Sequence, residues 1–180
     1  MSVVVLRMLE LADLVQHRGG TVNRILSKSH VEGDVDVHQL NCTYHAALDH
    51  DDDRYIAARA IQLFARGVPH VYYVGLLAGD NDHEAVRRSG EGRAINRHDY
   101  TIDEVQTALG RPVVQRVLAL VRLRRDHPAF SGRLEVGTPT ESTIRMTWDS
   151  GEDRCDLEVD LRSGRSLTRT SHGGREPALA

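Results

Sequence analysis

The run HVYYVG at residues 70–75 constrains this chain more than any other stretch. It is β-branched and aromatic with no polar alternation, the pattern of a strand buried on both faces in a parallel sheet or barrel. Before it stands YIAARAIQLFA, residues 55–65, apolar on nearly all faces and predicting a largely buried helix. The acids at residues 51–53 favour the positive end of that helix, and Gly67 stops it. A doubly buried strand needs a neighbour on each side, and no other stretch of the chain reads as one. That deficit points to a fragment of a larger α/β domain.

The remaining elements follow from periodicity and punctuation. Residues 6–17 place Leu6, Leu9, Leu11, Leu14 and Val15 at helical spacing, and Gly19-Gly20 ends the segment. A short strand is expected at residues 21–26. Residues 27–52 hold many Ser, His, Asp and Asn, and predict a long loop, a feature often tied to function. A short helix is expected at 82–88, and Thr101 with Glu104 makes a capping-box pattern for a helix through Leu109. Pro112 opens another that runs to about Arg125. Beyond Ser131 the period falls to two. Ile144, Met146 and Trp148 share one face, as do Cys155, Leu157, Val159 and Leu161, while Asp156, Glu158 and Asp160 face out. Three or four such strands make a small antiparallel β module.

Composition narrows the class of function. With 23 Lys+Arg against 26 Asp+Glu the net charge is −3, without the basic excess of a protein that neutralises many phosphates, so nucleic acid is not expected as a partner. At 40% hydrophobic and 27% charged, the 180 residues can bury a core. Arg7, Glu10 and Asp13 interrupt the apolar start, which reads as a soluble helix rather than a targeting segment, and no membrane partner is expected. Two widely spaced cysteines, Cys42 and Cys155, indicate neither a disulfide scaffold nor a zinc ribbon, and a reduced, cytoplasmic setting is the default.

Three stretches carry polar side chains dense enough for chemistry. HAALDHDDD, residues 45–53, lacks a calcium-loop pattern and reads better as a solvated helix N-terminus than as a cation site. The ten histidines are scattered, so no metal and no cofactor are expected. In EGRAINRHDY, Arg93 and Arg97, beside Asn96 and His98, suit a carboxylate, a phosphate or sugar hydroxyls; a surface loop with arginines paired to nearby acids fits equally well. In GDVDVHQLNCTYHAAL an extended backbone would turn Asp36 and His38 the same way, with Gln39 and Asn41 nearby, an arrangement suited to sugar hydroxyls. A plain loop explains that stretch nearly as well.

From Asp36 to Tyr100 the chain resembles the C-terminal portion of sucrose phosphorylases and their close relatives, within the α-amylase clan. QLNCTY, YIAARAIQLF, GVPHVYYVGLLAG and GRAINRH carry the likeness. The resemblance implies an α/β fold: the C-terminal part of a (β/α)₈ barrel followed by a small, incomplete antiparallel β domain. Residues 1–130 would supply the seventh helix, the acceptor loop, the eighth strand and helices, and residues 131–180 part of the β domain. It implies phosphorolysis of sucrose or a related α-glucoside to α-glucose 1-phosphate, a retaining double displacement with two carboxylates about 5–5.5 Å apart. A sugar substrate and inorganic phosphate are the implied partners of the intact enzyme.

Carried over by position, Arg93 matches an arginine that helps to hold the donor glucose, and Asp36 and Gln39 match the mobile loop on the acceptor side. His38 stands where sucrose-specific members usually have Tyr, which admits another acceptor such as a phosphorylated sugar or a glycerol-type compound. No residue here matches the family's catalytic carboxylates, which precede the matched segment. The chain alone is therefore expected to be inactive, either as a truncated enzyme or as a partner of a separately encoded N-terminal half. An independent small α/β binding module is the remaining reading.

Overall fold

The computed structural model describes residues 3–26, 35–173 and 178–179. Two compact units emerge, one of residues 1–50 with 72–108 and one of residues 51–71 with 109–180.

In the first unit, α1 (Val3–His17) turns Ala12 and Val15 inward, whereas Met8, Leu11 and Leu14 stay exposed. β1 (Thr21–Leu26) then pairs antiparallel with β2 (Val35–Asn41). The loop expected over residues 27–52 thus holds a strand, and beyond it the short helix α2 (Tyr44–Ala47), whose Ala46 amide donates to the Thr43 hydroxyl at 3.3 Å. β1 supplies the ladder partner that β2's Asp, His and Gln content hides from a composition-based reading. Residues 27–34 lie outside the described residues.

Further along come α4 (Tyr73–Leu76), α5 (His83–Ser89), a 3₁₀ turn at Gly92–Asn96 and α6 (Ile102–Leu109). The capping box forms as read. The Thr101 amide donates to Glu104 Oε2 at 2.7 Å, and the Glu104 amide donates back to the Thr101 hydroxyl at 3.3 Å.

HVYYVG differs from its expectation. Residues 68–72 make no ladder among the described residues; Val68 is 97% exposed, and Tyr72 and Tyr73 are exposed as well. Tyr72 is extended (φ −69°, ψ 148°) before the chain turns into α4. Extended backbone becomes a buried strand only beside partners that accept and donate its hydrogen bonds, and no described strand does so here.

In the second unit, α3 (Asp52–Phe64) and α7 (Pro112–Asp126) pack with a five-stranded antiparallel meander: β3 (Arg133–Thr140), β4 (Thr143–Asp149), β5 (Arg154–Asp160), β6 (Arg165–Ser171) and β7 (Ala178–Leu179). Asp51 caps α3, its Oδ1 accepting from the amides of Asp53 and Arg54 at 3.0 Å.

Period-two alternation places Met146 and Trp148 of β4 opposite Leu157 and Cys155 of β5, all buried against Ala57, Ala60 and Phe64 of α3. Burying a side chain such as Leu157 contributes about 1.5–3 kcal/mol. Leu161 does not continue that face. It falls in the turn after β5 and is exposed, because the strand ends at Asp160. β6 and β7 bring the sheet to five strands rather than three or four.

Candidate functional site

The first unit carries all four residues singled out for substrate binding. Arg93 lies on the 3₁₀ turn Gly92–Asn96, and His38 and Gln39 lie on β2. The hairpin meets the turn at Thr21. The Thr21 hydroxyl, at the start of β1, donates to the Gly92 carbonyl at 3.1 Å and accepts from Asn41 Nδ2 at 3.3 Å. A Cβ on Gly92 would sit 2.7 Å from that hydroxyl and 3.3 Å from Asn23 Oδ1, so a side chain there would force Thr21 to shift from this position. Asn23 in turn stands opposite Gln39 in the ladder.

The register breaks between Asn23 and Arg24, which face Gln39 and Val37 respectively. His38 is therefore the extra residue of a β-bulge, with no residue opposite it. A regular strand would have turned His38 and Asp36 to one side; the bulge interrupts that alternation. His38 and Gln39 are both exposed. Asp36 stands opposite Ile25 in the backbone register, and its side chain lies outside what is described.

Arg93 donates from Nε to Glu91 Oε2 at 2.8 Å, and both side chains are about half exposed, at 53% and 54%. That hydrogen bond raises the guanidinium's pKa and lowers the Glu91 carboxyl's. Of the two readings open for this loop, an arginine paired to a nearby acid describes its present contact. Solvent screening leaves such a pair weak, so Arg93 can exchange partners at little cost.

Two hubs support these loops. Asn81 accepts from the Thr43 amide at 2.9 Å and donates from Nδ2 to the Arg18 carbonyl at 3.2 Å and to Cys42 Sγ at 3.5 Å, joining the chain after α1, the end of the hairpin and the approach to α5. Nothing in the string GDND announces this role, because the partners are far away in sequence. Arg18, for its part, donates to the Ala47 carbonyl at the end of α2. The second hub is His98, whose Nδ1 lies 2.7 Å from Asp82 Oδ2 and whose Nε2 lies 3.3 Å from Glu104 Oε1. Among the described residues no three His, Cys, Asp or Glu side chains gather as a metal site, and no helix is long and apolar enough to cross a membrane.

No family model matches the chain. It is 46% identical over 155 residues to the sucrose 6(F)-phosphate phosphorylase of Thermoanaerobacterium thermosaccharolyticum, covering 86% of this chain and 32% of that protein. It is 53% identical over 125 residues to the glucosylglycerol phosphorylase of Marinobacter adhaerens, covering 69% of this chain and 26% of that one. A sucrose phosphorylase from Agrobacterium vitis is 41% identical over 155 residues, again 86% of this chain and 32% of the relative. The crystal structure of a sucrose 6F-phosphate phosphorylase superposes with a TM-score of 0.89 at 43% identity, covering 96% of this chain and 36% of that one. The chain thus spans about a third or less of the length of the relatives it matches.

Proposed function

We infer that this chain, which corresponds to the C-terminal portion of sucrose phosphorylases and their close relatives, supplies sugar-binding loops to a glucosyl phosphorylase whose catalytic carboxylates lie outside it. The reaction is phosphorolysis of an α-glucoside to α-glucose 1-phosphate by retaining double displacement. Residues 1–130 provide the end of the barrel and residues 131–180 part of the β domain. HVYYVG takes its place as a barrel strand once its neighbours are present. Arg93 holds the donor glucose through an acid of the remaining barrel, exchanging Glu91 for it, while Asp36, His38 and Gln39 line the acceptor side. The observation that carries this reading is identity of 46% and 53%, over most of the chain, to phosphorylases of a sucrose phosphate and of glucosylglycerol.

Those two names also bear on the acceptor. With His38 in place of a tyrosine, we propose a phosphorylated sugar or a glycerol-type aglycone rather than fructose.

The test is complementation. The N-terminal two-thirds of the Thermoanaerobacterium enzyme is co-expressed with this chain, and phosphate-dependent release of α-glucose 1-phosphate is followed with sucrose, sucrose 6F-phosphate and glucosylglycerol. The chain alone gives no product, and the pair does. Arg93→Ala lowers kcat/KM of the pair by about tenfold or more, as expected for loss of a charge-assisted hydrogen bond. His38→Tyr moves preference toward sucrose. Turnover by the isolated chain, or an Arg93→Ala pair as active as the parent, refutes the assignment.

A further inference from the structure

His98 reaches a carboxylate with each of its ring nitrogens. On one side stands Asp82, the N-cap of α5, whose Oδ1 accepts from the Ala85 amide at 2.7 Å. On the other stands Glu104 of α6, fixed by the Thr101 capping box. The backbone of Asp82 makes a further link, its amide donating to the Ile95 carbonyl at 2.7 Å, and Ile95 is fully buried. Asp82 is therefore bonded both to the last part of the 3₁₀ turn and, through its side chain, to His98 two residues after it. The front of the same turn is held by Thr21 at Gly92. Arg93 lies between these two anchors.

A neutral imidazole carries one N–H, and only the imidazolium can donate to two carboxylates at once. From this geometry we propose that His98 is a positioning residue: as an imidazolium it ties the Arg93 turn to α5 through Asp82 and to α6 through Glu104, and deprotonation loosens the turn. Its value for sugar binding rests on the role assigned to Arg93 above; the clamp itself does not.

The surrounding groups agree in sign. The Asp82 hydrogen bond is the main cause that raises the pKa of His98 above its ordinary 6.5; desolvation opposes it, and the Glu104 hydrogen bond adds a lesser push upward. Asp82 lies below the usual carboxylate range, chiefly through the Ala85 amide and then through His98, with Arg88 of α5 adding a minor push in the same direction. Glu104 is lowered by Thr101 first and His98 after it. The Tyr100 ring stands edge-on at 4.6 Å.

Because the folded-state pKa of His98 is raised, its stabilisation is complete below 6.5 and disappears as pH climbs through the higher folded value. The depressed carboxylates act the other way, contributing above their ordinary values and losing that contribution as pH falls through the lowered ones. The clamp is closed between those limits. When His98 loses its proton, the 2.7 Å bond to Asp82 keeps Nδ1 protonated and the 3.3 Å link to Glu104 is the one released.

The full chain, free of sugar, serves for the test. ¹⁵N NMR of the His98 ring is expected to show a midpoint above 6.5 and an Nδ1–H tautomer beyond it. Amide exchange at Asp82 and Arg97, expressed as protection factors, is expected to accelerate several-fold between about pH 6 and pH 9. His98→Gln leaves both amides poorly protected throughout, whereas His98→Arg, permanently charged with two donor arms, restores protection and removes its pH dependence. Glu104→Gln preserves the capping box and lowers the His98 midpoint, which keeps the test usable if His98 variants fail to fold. A midpoint at or below 6.5, an Nε2–H neutral tautomer, pH-independent protection in the parent chain, or a midpoint unmoved by Glu104→Gln each overturns the clamp. If the clamp holds while Arg93→Ala leaves complementation intact, only the proposed function falls.

Discussion

Trp148→Ala is expected to lower the unfolding free energy of the second unit by about 3–5 kcal/mol, the usual cost of emptying a large aromatic site. The ring is 4% exposed, lies 5.7 Å from the Phe130 ring and has the Arg124 guanidinium 4.8 Å above it. It also has a polar duty. Phe64 is the last residue of α3, so its carbonyl has no acceptor role left within the helix, and Trp148 Nε1 donates to it at 2.7 Å. The indole is thus both core and helix cap. Trp148→Phe keeps much of the packing and isolates the polar part of the loss, about 1–3 kcal/mol for a buried carbonyl left without a donor. Urea titrations followed by far-UV circular dichroism read both, since tryptophan fluorescence disappears with the residue. An alanine variant within about 1 kcal/mol of the parent would show that the sheet and α3 hold together without this residue.

The second large effect is expected at Gly132, which precedes β3. A Cβ there would overlap the Asp149 carbonyl oxygen and lie 2.8 Å from Ser150 Cα. Both are backbone atoms, so no rotamer change relieves the clash, and β3 must draw away from β4 at the Arg133–Asp149 pair. Gly132→Ala should therefore cost on the order of 3 kcal/mol, the upper range for overpacking. Gly137→Ala, within β3 and with nothing within 4 Å of the new methyl, should fall within about 0.5 kcal/mol of the parent. The same titration compares them. Equal costs at the two positions would show that the close approach to Asp149 is not what makes Gly132 costly to replace.

Local signals in the sequence were reliable where the physics is local. Asp51, the Thr101–Glu104 box and Pro112 mark helix starts, because capping involves residues at most a few positions apart. Alternation from Thr143 to Asp160 likewise gives the buried face of β4 and β5. Pairing is a different matter. β2 hides inside a polar stretch because its existence depends on β1, and β6, with arginines and threonines along its length, depends on β5. HVYYVG shows the converse, a strand-like string whose backbone finds no ladder among the described residues. At the candidate site, Glu91 was an available partner for Arg93 in sequence, yet only the fold shows that it is used. The bulge at His38 and the reach of Asp82 to both Ile95 and His98 depend on how distant segments meet, and no spacing rule reveals them.

The bulge has a consequence for how such loops diversify. At a paired position, any change of side chain is judged by its cross-strand neighbour as well as by the ligand. Residue 38 faces no such neighbour, so drift there leaves the hairpin's pairing undisturbed while altering what the loop presents. On the acceptor-side role proposed for residue 38, an unpaired slot lets a single substitution change what the loop recognises, with selection on recognition separated from selection on folding.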